Sequence, residues 1–198
     1  MSAKYYIQDD VRQALLDAAR SIFARYGYNK TTVDEIAKAA RKGKSTFYYY
    51  YKSKEEIFND VIEKEAQIFR MKLIESISKS TDPVKKIKSY IVTRLGYFKN
   101  LVNFYSVLKN EGNEYFVFIE DIRNKYDLEQ VNIIKMVLLE GIQNNIIELD
   151  DVELASESIA MVLKGLEYNL MFAENGKLIE EDKIDKIVNM IFNGVSKK

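Results

Sequence analysis

The sequence predicts an all-α fold of about nine helices, with a small three-helix head at residues 1–52 and a larger helical body at residues 53–198. Three observations predict it. Apolar residues recur at the 3.6-residue helical period in one segment after another. A single Pro (Pro83) and eight Gly are too few for the many turns of a sandwich or barrel. No stretch alternates as a half-buried strand does, and no internal repeat or low-complexity run is visible.

Taken in order, Asp10 followed by Gln13 predicts an N-cap with its capping-box partner. Val11, Leu15, Ala19, Ile22, Phe23 and Tyr26 then form an apolar face that Gly27 ends. Thr32-Val33-Asp34-Glu35 is a second capping box, opening a short helix whose inner face is Val33, Ile36, Ala37 and Ala40. Arg41-Lys42-Gly43 is a turn in which Gly43 takes any backbone geometry, and Lys44 to Tyr50 is another short helix. Ser53 with Glu56 caps a long helix that places Ile57, Phe58, Val61, Ile62, Ile68 and Phe69 on one side.

Asp82-Pro83 supplies an N-cap and the first-turn Pro of a helix through Phe98. Leu101 to Leu108 predicts a shorter helix, and Glu111-Gly112-Asn113 breaks the chain. A long helix from about Glu114 to Asn144, with an interruption possible at Tyr126-Asp127, precedes one capped by Asp150 and Glu153 and ended at Asn175-Gly176. In the last helix Ile184, Ile187, Val188, Ile191, Phe192 and Val195 match the amphipathic template throughout.

Composition narrows the function. Cys and His are both absent, which removes disulfides, thiolate and imidazole metal sites, Cys nucleophiles and every His-based acid/base mechanism. The acidic pairs Glu55-Glu56, Asp150-Asp151 and Glu180-Glu181-Asp182 fall at helix starts, where capping and the helix dipole account for them. No enzyme, catalytic residue, cofactor or metal is expected. No apolar run approaches the roughly 18 residues of a membrane span, and Met1 to Asp10 lacks a signal-peptide core, so a cytoplasmic protein without membrane contact is expected.

Net charge is zero, but unevenly spread. Residues 1–54 carry 11 Lys and Arg against 5 Asp and Glu, and the remaining 144 carry 19 against 25. Arg41, Lys42, Lys44, Lys52 and Lys54 form a basic run with no acid among them, which serves either as a solvated face or as a nucleic-acid footprint.

Two short helices joined by a three-residue turn, preceded by a supporting helix and followed by a long one, are the anatomy of a helix-turn-helix DNA reader. Within this frame the segment Thr31-Thr32-Val33-Asp34-Glu35-Ile36-Ala37-Lys38-Ala39-Ala40, followed by Thr46-Phe47-Tyr48-Tyr49-Tyr50-Tyr51-Lys52-Ser53-Lys54-Glu55, is distinctive. It closely resembles the amino-terminal DNA-binding domain of the TetR/AcrR family of transcriptional regulators, over roughly residues 8 to 58. The resemblance implies a third helix in the major groove, with Tyr48 and Lys54 at the family's phosphate-contacting positions. It also implies a body that binds a ligand and forms a homodimer, hence a repressor acting on a palindromic double-stranded DNA operator.

The resemblance and the residues together give an expected DNA-facing set of Thr32, Arg41, Lys42, Lys44, Ser45, Thr46, Tyr48, Tyr49, Tyr50 and Lys54, with Tyr48 and Lys54 placed there by the resemblance. Lys44, Ser45 and Thr46 open the third helix, where donors and the positive helix end favour phosphates or base edges. Tyr49 and Tyr50 suit base reading through a phenol donor and a ring for the thymine methyl, although Tyr50 serves equally as core, while Phe47 and Tyr51 should pack inward. The turn departs from the family, which usually has Gly, an apolar residue and Ser where Arg41, Lys42 and Gly43 stand, and a small residue at Ser45. An Arg held at positive φ costs on the order of 1 kcal/mol, and Arg41 and Lys42 are either solvated side chains or extra phosphate clamps.

In the body, aromatics accumulate; an ordinary core accounts for most of them, but a tyrosine inside requires a partner for its hydroxyl, and this many suggests that some line a cavity. A small-molecule effector, largely apolar and flat or elongated with one or two hydrogen-bonding groups, is expected at Tyr90, Arg94, Tyr97, Tyr105, Tyr115, Tyr168 and Phe172. Arg94 either meets an anionic group or snorkels to the surface. The last two helices, through Leu163, Leu170, Ile184, Ile187 and Ile191, are expected to form the dimer interface. The competing reading is a body that binds a protein partner in place of a metabolite.

Overall fold

A computed structural model of the chain describes residues 3–97, 113–172 and 181–193, with side chains at 10–97, 124, 126–167 and 182–191. The described residues form eight helices and no strand: α1 (Ala3–Tyr26), α2 (Val33–Ala39), α3 (Lys44–Tyr50), α4 (Lys54–Ser78), α5 (Pro83–Tyr97), α6 (Asn113–Gln143), α7 (Val152–Phe172) and α8 (Glu181–Asn193). The expected helix over 101–108 and the helix end at Asn175-Gly176 lie outside the described residues. Two compact units are present, one holding residues 3–68 and 113–119, the other 69–97, 120–172 and 181–193. The division falls inside α4, after Ile68, beyond the expected boundary at 52/53.

The first unit is built around α1 and α4. Leu15, Ala19 and Phe23 of α1, Ile36 and Ala37 of α2, Phe47 of α3 and Ile57, Phe58, Val61 and Ile62 of α4 are all buried. Phe23, Tyr28 and Phe58 meet as an aromatic triad with ring centroids 4.8 to 5.8 Å apart. Arg12 to Asp60 at 2.6 Å and Arg20 to the buried Glu65 at 3.2 Å tie α1 to α4. Asp10 is not an N-cap: α1 begins at Ala3 and runs through it, since no Gly or Pro interrupts residues 3–9, and Gln13 instead pairs with Asp17 one turn on. Gly27, at φ 79°, ends the helix as expected.

In the turn between α2 and α3 the bend falls on Arg41, the position where the sequence lacks the usual glycine, and not on Gly43. Arg41 takes the left-handed conformation at φ 55°, and Gly43 lies extended at φ −79° as the N-cap of α3 without a side-chain cap. The amide of Arg41 donates to the Lys38 carbonyl at 3.0 Å and that of Lys42 to the Ala37 carbonyl at 2.9 Å, the paired bonds of a Schellman ending. Geometry at the end of α2 therefore decides, and the flexible residue two places on is not where the bend is needed. Arg41→Gly is expected to raise unfolding free energy by about 1 kcal/mol, read by urea denaturation.

In the second unit, Ile87, Tyr90, Ile91 and Leu95 of α5 pack in one buried cluster with Ile134, Val137 and Leu138 of α6, Ile159 and Leu163 of α7 and Ile184 and Val188 of α8. Asp82 caps α5, accepting from Val84 at 2.9 Å and Lys85 at 3.3 Å, with Pro83 in the first turn. The helix α6 passes through Tyr126-Asp127 without a break and ends in a second Schellman turn, with Asn145 at φ 55°. The cap of α7 is Asp151, one residue after the expected Asp150: its carboxylate accepts from the Leu154 amide at 2.9 Å.

Candidate nucleic-acid interface

The head presents α2 and α3 as a rigid pair. Thr32 opens α2 with a complete capping box, its hydroxyl oxygen accepting from the Glu35 amide at 3.3 Å while the Glu35 carboxylate accepts from the Thr32 amide and hydroxyl, both at 2.8 Å. Those two bonds hold the Glu35 carboxyl below its ordinary pKa, the backbone bond first. Thr32 is thus committed to holding the helix start, and only its exposed flank faces outward.

In α3 the run of four tyrosines divides by helical geometry. Phe47 and Tyr51 are buried at 0% and 1% exposure, while Tyr48 and Tyr49 are 50% and 68% exposed and Tyr50 is half-buried. Burial pushes the Tyr51 phenol up to about 12, and its ring lies under the Arg12 guanidinium at 5.5 Å. The ring of Tyr48 stands edge-on to Phe47 at 5.5 Å and that of Tyr49 edge-on to Tyr50 at 4.9 Å, so the outward rings are braced by neighbours.

Around these rings, Arg41, Lys44, Ser45 and Lys52 are exposed and Lys42 and Thr46 half-buried. The Lys44 ammonium sits 2.8 Å from Asp34 of α2, a hydrogen bond that raises its pKa. Both side chains are exposed, so the pair is weak and a phosphate competes with it easily. Lys54 is held more firmly. Its ammonium donates to the Tyr28 carbonyl at 2.9 Å and the Thr31 carbonyl at 3.0 Å and lies 4.1 Å from the Tyr28 ring centroid, which leaves one of its three N–H bonds uncommitted to those two carbonyls. Nothing in the local sequence signals this clamp, because its acceptors are backbone atoms more than twenty residues upstream.

Residues 15–61 match the model of the bacterial regulatory proteins of the tetR family. A solved Clostridium perfringens structure, provisionally described as a fatty acid metabolism regulator, is 34% identical and covers 93% of this chain and 100% of its own, with a TM-score of 0.63. The chain belongs to the TetR/AcrR family of transcriptional regulators. Another relative is the transcriptional regulator QacR of Staphylococcus aureus, 25% identical over 197 residues covering 95% of this chain and all of QacR. The Bacillus subtilis regulator FadR, solved with stearoyl-CoA, shares the fold at 24% identity and a TM-score of 0.66, covering 93% of this chain and 99% of its own. This TetR-family chain is accordingly a DNA-binding transcriptional regulator, and its named relatives are regulators as well. Among the described residues, no helix is long and apolar enough to cross a membrane.

The second unit of this family member redistributes the residues expected to bind ligand. Tyr90 is buried, and Tyr97 stacks on Phe69 at 5.4 Å. Arg94 neither snorkels nor waits for an anion. It is buried at 7% exposure against Glu167 at 6%, with Nε 2.5 Å from one carboxylate oxygen and a terminal nitrogen 3.1 Å from the other. Asp127 lies 3.9 Å from Arg94 and 2.6 Å from Lys164, so two cations and two carboxylates balance across α5, α6 and α7. Glu167 was not anticipated, although its inward position at the spacing of Ala160 and Leu163 along α7 was there to find. The side chains of Tyr105, Tyr115, Tyr168 and Phe172 lie outside the described residues. A separate groove of about 440 Å³ is lined, among the described residues, by aliphatic side chains including Val84, Leu138, Ile147, Val162 and Ile191, and not by Tyr90 or Tyr97.

The expected dimer set needs correction. Leu163 is 0% and Ile184 4% exposed, because both pack into their own unit's core against α5. Ile187 and Ile191 are half-buried, and the side chain of Leu170 lies outside the described residues. Among the described residues, the large apolar side chains that α7 and α8 leave outward are Leu154, Met161, Val162 and Met190.

Proposed function

We propose that this regulator is a repressor that binds a palindromic operator as a homodimer and is released by a fatty acyl-CoA. The head at residues 1–52 reads DNA and the body at 53–198 senses the effector and pairs with its mate. The observation that carries the DNA reading is the division of α3, in which Phe47 and Tyr51 anchor the helix while Tyr48 and Tyr49 stand outward beside Arg41, Lys42 and Lys44. Thr32, Ser45, Thr46, Tyr50 and Lys54 complete the contact surface. Pairing through the outward residues of α7 and α8, with Ile187 and Ile191 at the rim, closes a four-helix bundle about the two-fold axis.

The fatty acyl-CoA assignment is supported by the named role of the Clostridium relative, by stearoyl-CoA in the Bacillus FadR structure, and by a largely apolar cluster of buried side chains in the body. The helix α4 runs unbroken from Lys54 to Ser78 and contributes residues to both units. A small rotation of it changes the spacing of the recognition helices, which must stay about 34–36 Å apart for successive major grooves. A tenfold loss of affinity requires that the effector favour the released form by about 1.4 kcal/mol.

The test begins with an operator selected from random duplexes. Tyr49→Ala is expected to weaken the selected site about tenfold while changing random DNA by less than threefold, measured by fluorescence anisotropy. Equal loss on both sequences removes Tyr49 from base reading. Adding a long-chain acyl-CoA is expected to dissociate the complex, and an operator affinity indifferent to it removes the effector assignment.

A further inference from the structure

We infer that Asp34 and Lys44 act as one reading unit on DNA, the carboxylate accepting from the exocyclic amine of a base pair while the ammonium donates to the carbonyl oxygen beside it. The unit thereby senses which strand carries the amino base. The inference rests on the DNA reading of α2 and α3 and names two residues that set specificity within it.

The ion pair joins the two short helices of the head at their starts. Asp34 lies in the first turn of α2, Lys44 is the first residue of α3, and the Lys44 ammonium donates to the Asp34 carboxylate at 2.8 Å. Both side chains are more than half exposed, so the pair stands on the outer surface and supports no core. The exposed Tyr48, one turn further along α3, lies close enough to act electrostatically on the same ammonium. Glu35, the other acid of α2, is engaged in the Thr32 cap, which leaves Asp34 as the carboxylate of that helix not committed to capping.

The first residues of a recognition helix meet base edges in the major groove, which brings Lys44 to the bases and Asp34 with it. A carboxylate against a duplex is repelled by the phosphates and accepts only, so it needs a donor there. The amine donors of the major groove are cytosine N4 and adenine N6. Each is already hydrogen-bonded to the carbonyl oxygen of its partner base, guanine O6 or thymine O4, so a donor and an acceptor lie side by side in every base pair. Lys44 keeps two N–H bonds beyond the one given to Asp34. Laid across a base pair, the ion pair matches acceptor then donor in one direction only: G·C and T·A present that order, and C·G and A·T present the reverse. A phosphate satisfies Lys44 alone and strands Asp34, whereas a base pair in the matching order satisfies both. Joined, the two residues carry no net charge and add little to counterion release, while a freed Lys44 adds a phosphate contact.

The experiment selects duplexes from random DNA with the full chain, with Asp34→Ala and with Lys44→Met, then titrates each protein on the wild-type site and on random DNA at several salt concentrations. One base pair in each half-site of the wild-type selection is expected to be held to G or T on one strand, and reversing that pair is expected to cost about tenfold in affinity. Both variants are expected to reduce that cost to within about threefold while keeping the preferences at other positions. Asp34→Ala is also expected to bind random DNA about fivefold more tightly, with a salt slope steeper by about 0.9 for each head, because Lys44 is released to a phosphate. Lys44→Met is expected to bind random DNA no more tightly than the wild type. The inference is overturned if Asp34→Ala keeps every wild-type preference, or if the two variants relax different positions. It is also overturned if Asp34→Ala weakens operator and random DNA alike, which would make Asp34 a brace for α2. If the wild type enriches an inverted repeat while Asp34→Ala keeps every preference, this inference falls and the DNA reading stands. If the wild type enriches no duplex, both fall.

Discussion

Replacing Arg94 by Met is expected to destabilise the body by about 3–5 kcal/mol, because it strands a carboxylate where water does not reach. Arg94 meets both oxygens of Glu167 at 2.5 and 3.1 Å, and both side chains are more than nine-tenths buried. Asp127 loses a second, weaker neighbour at 3.9 Å, and the Phe69 ring loses the guanidinium 5.7 Å from its centroid. The double variant Arg94→Met with Glu167→Leu is expected to recover most of the loss, since a buried ion pair is often replaced by apolar side chains at little net cost. Urea denaturation of both variants checks this. A single variant within 1 kcal/mol of the wild type would show that Glu167 is solvated or protonated at neutral pH.

Lys54→Met is expected to damage stability and DNA binding together. The Tyr28 and Thr31 carbonyls both receive the Lys54 ammonium, and both close the turn between α1 and α2. Methionine keeps much of the alkyl stem but donates nothing, so a loss of about 2–3 kcal/mol is expected from two carbonyls left without that donor. If the remaining N–H also reaches a phosphate, affinity falls about equally on operator and random DNA, with a shallower salt dependence. Thermal melts and anisotropy titrations at two salt concentrations separate the roles. Stability lost with no change in the salt slope makes Lys54 a brace for the turn alone.

What was legible in the sequence was what is decided within a few residues. The Thr32–Glu35 box, the Ser53 bond to the Glu56 amide at 3.1 Å and the Asp82-Pro83 start all hold in the structure, because a cap involves only its own first turn. The strain at Arg41 was legible for the same reason, as a left-handed position with no glycine to fill it. Asp10 misled because a capping pattern permits a helix start without requiring one, and no breaker precedes it.

Long-range choices were not legible. An amphipathic stripe says that a face is covered and not what covers it, so Leu163 and Ile184 read equally well as dimer contacts and as the intrachain core they form. The partner of Arg94 sits 73 residues away, at a separation no local pattern encodes. The outward face of α3 was the most readable part of the candidate site, since the buried pair Phe47 and Tyr51 fixes which tyrosines remain exposed.

The central claim is that α2 and α3 read a two-fold operator with a pair of chains. Selection from random duplexes by the purified full chain, followed by titration of the recovered sequence between 50 and 200 mM salt and the mass of the complex, tests it most directly. The account predicts an inverted repeat with half-sites one helical turn or a multiple of it apart, an even number of chains per duplex, and an affinity that falls about 10³-fold across that salt range. No enriched duplex at any salt, or a single chain bound to a sequence without two-fold symmetry, would contradict it.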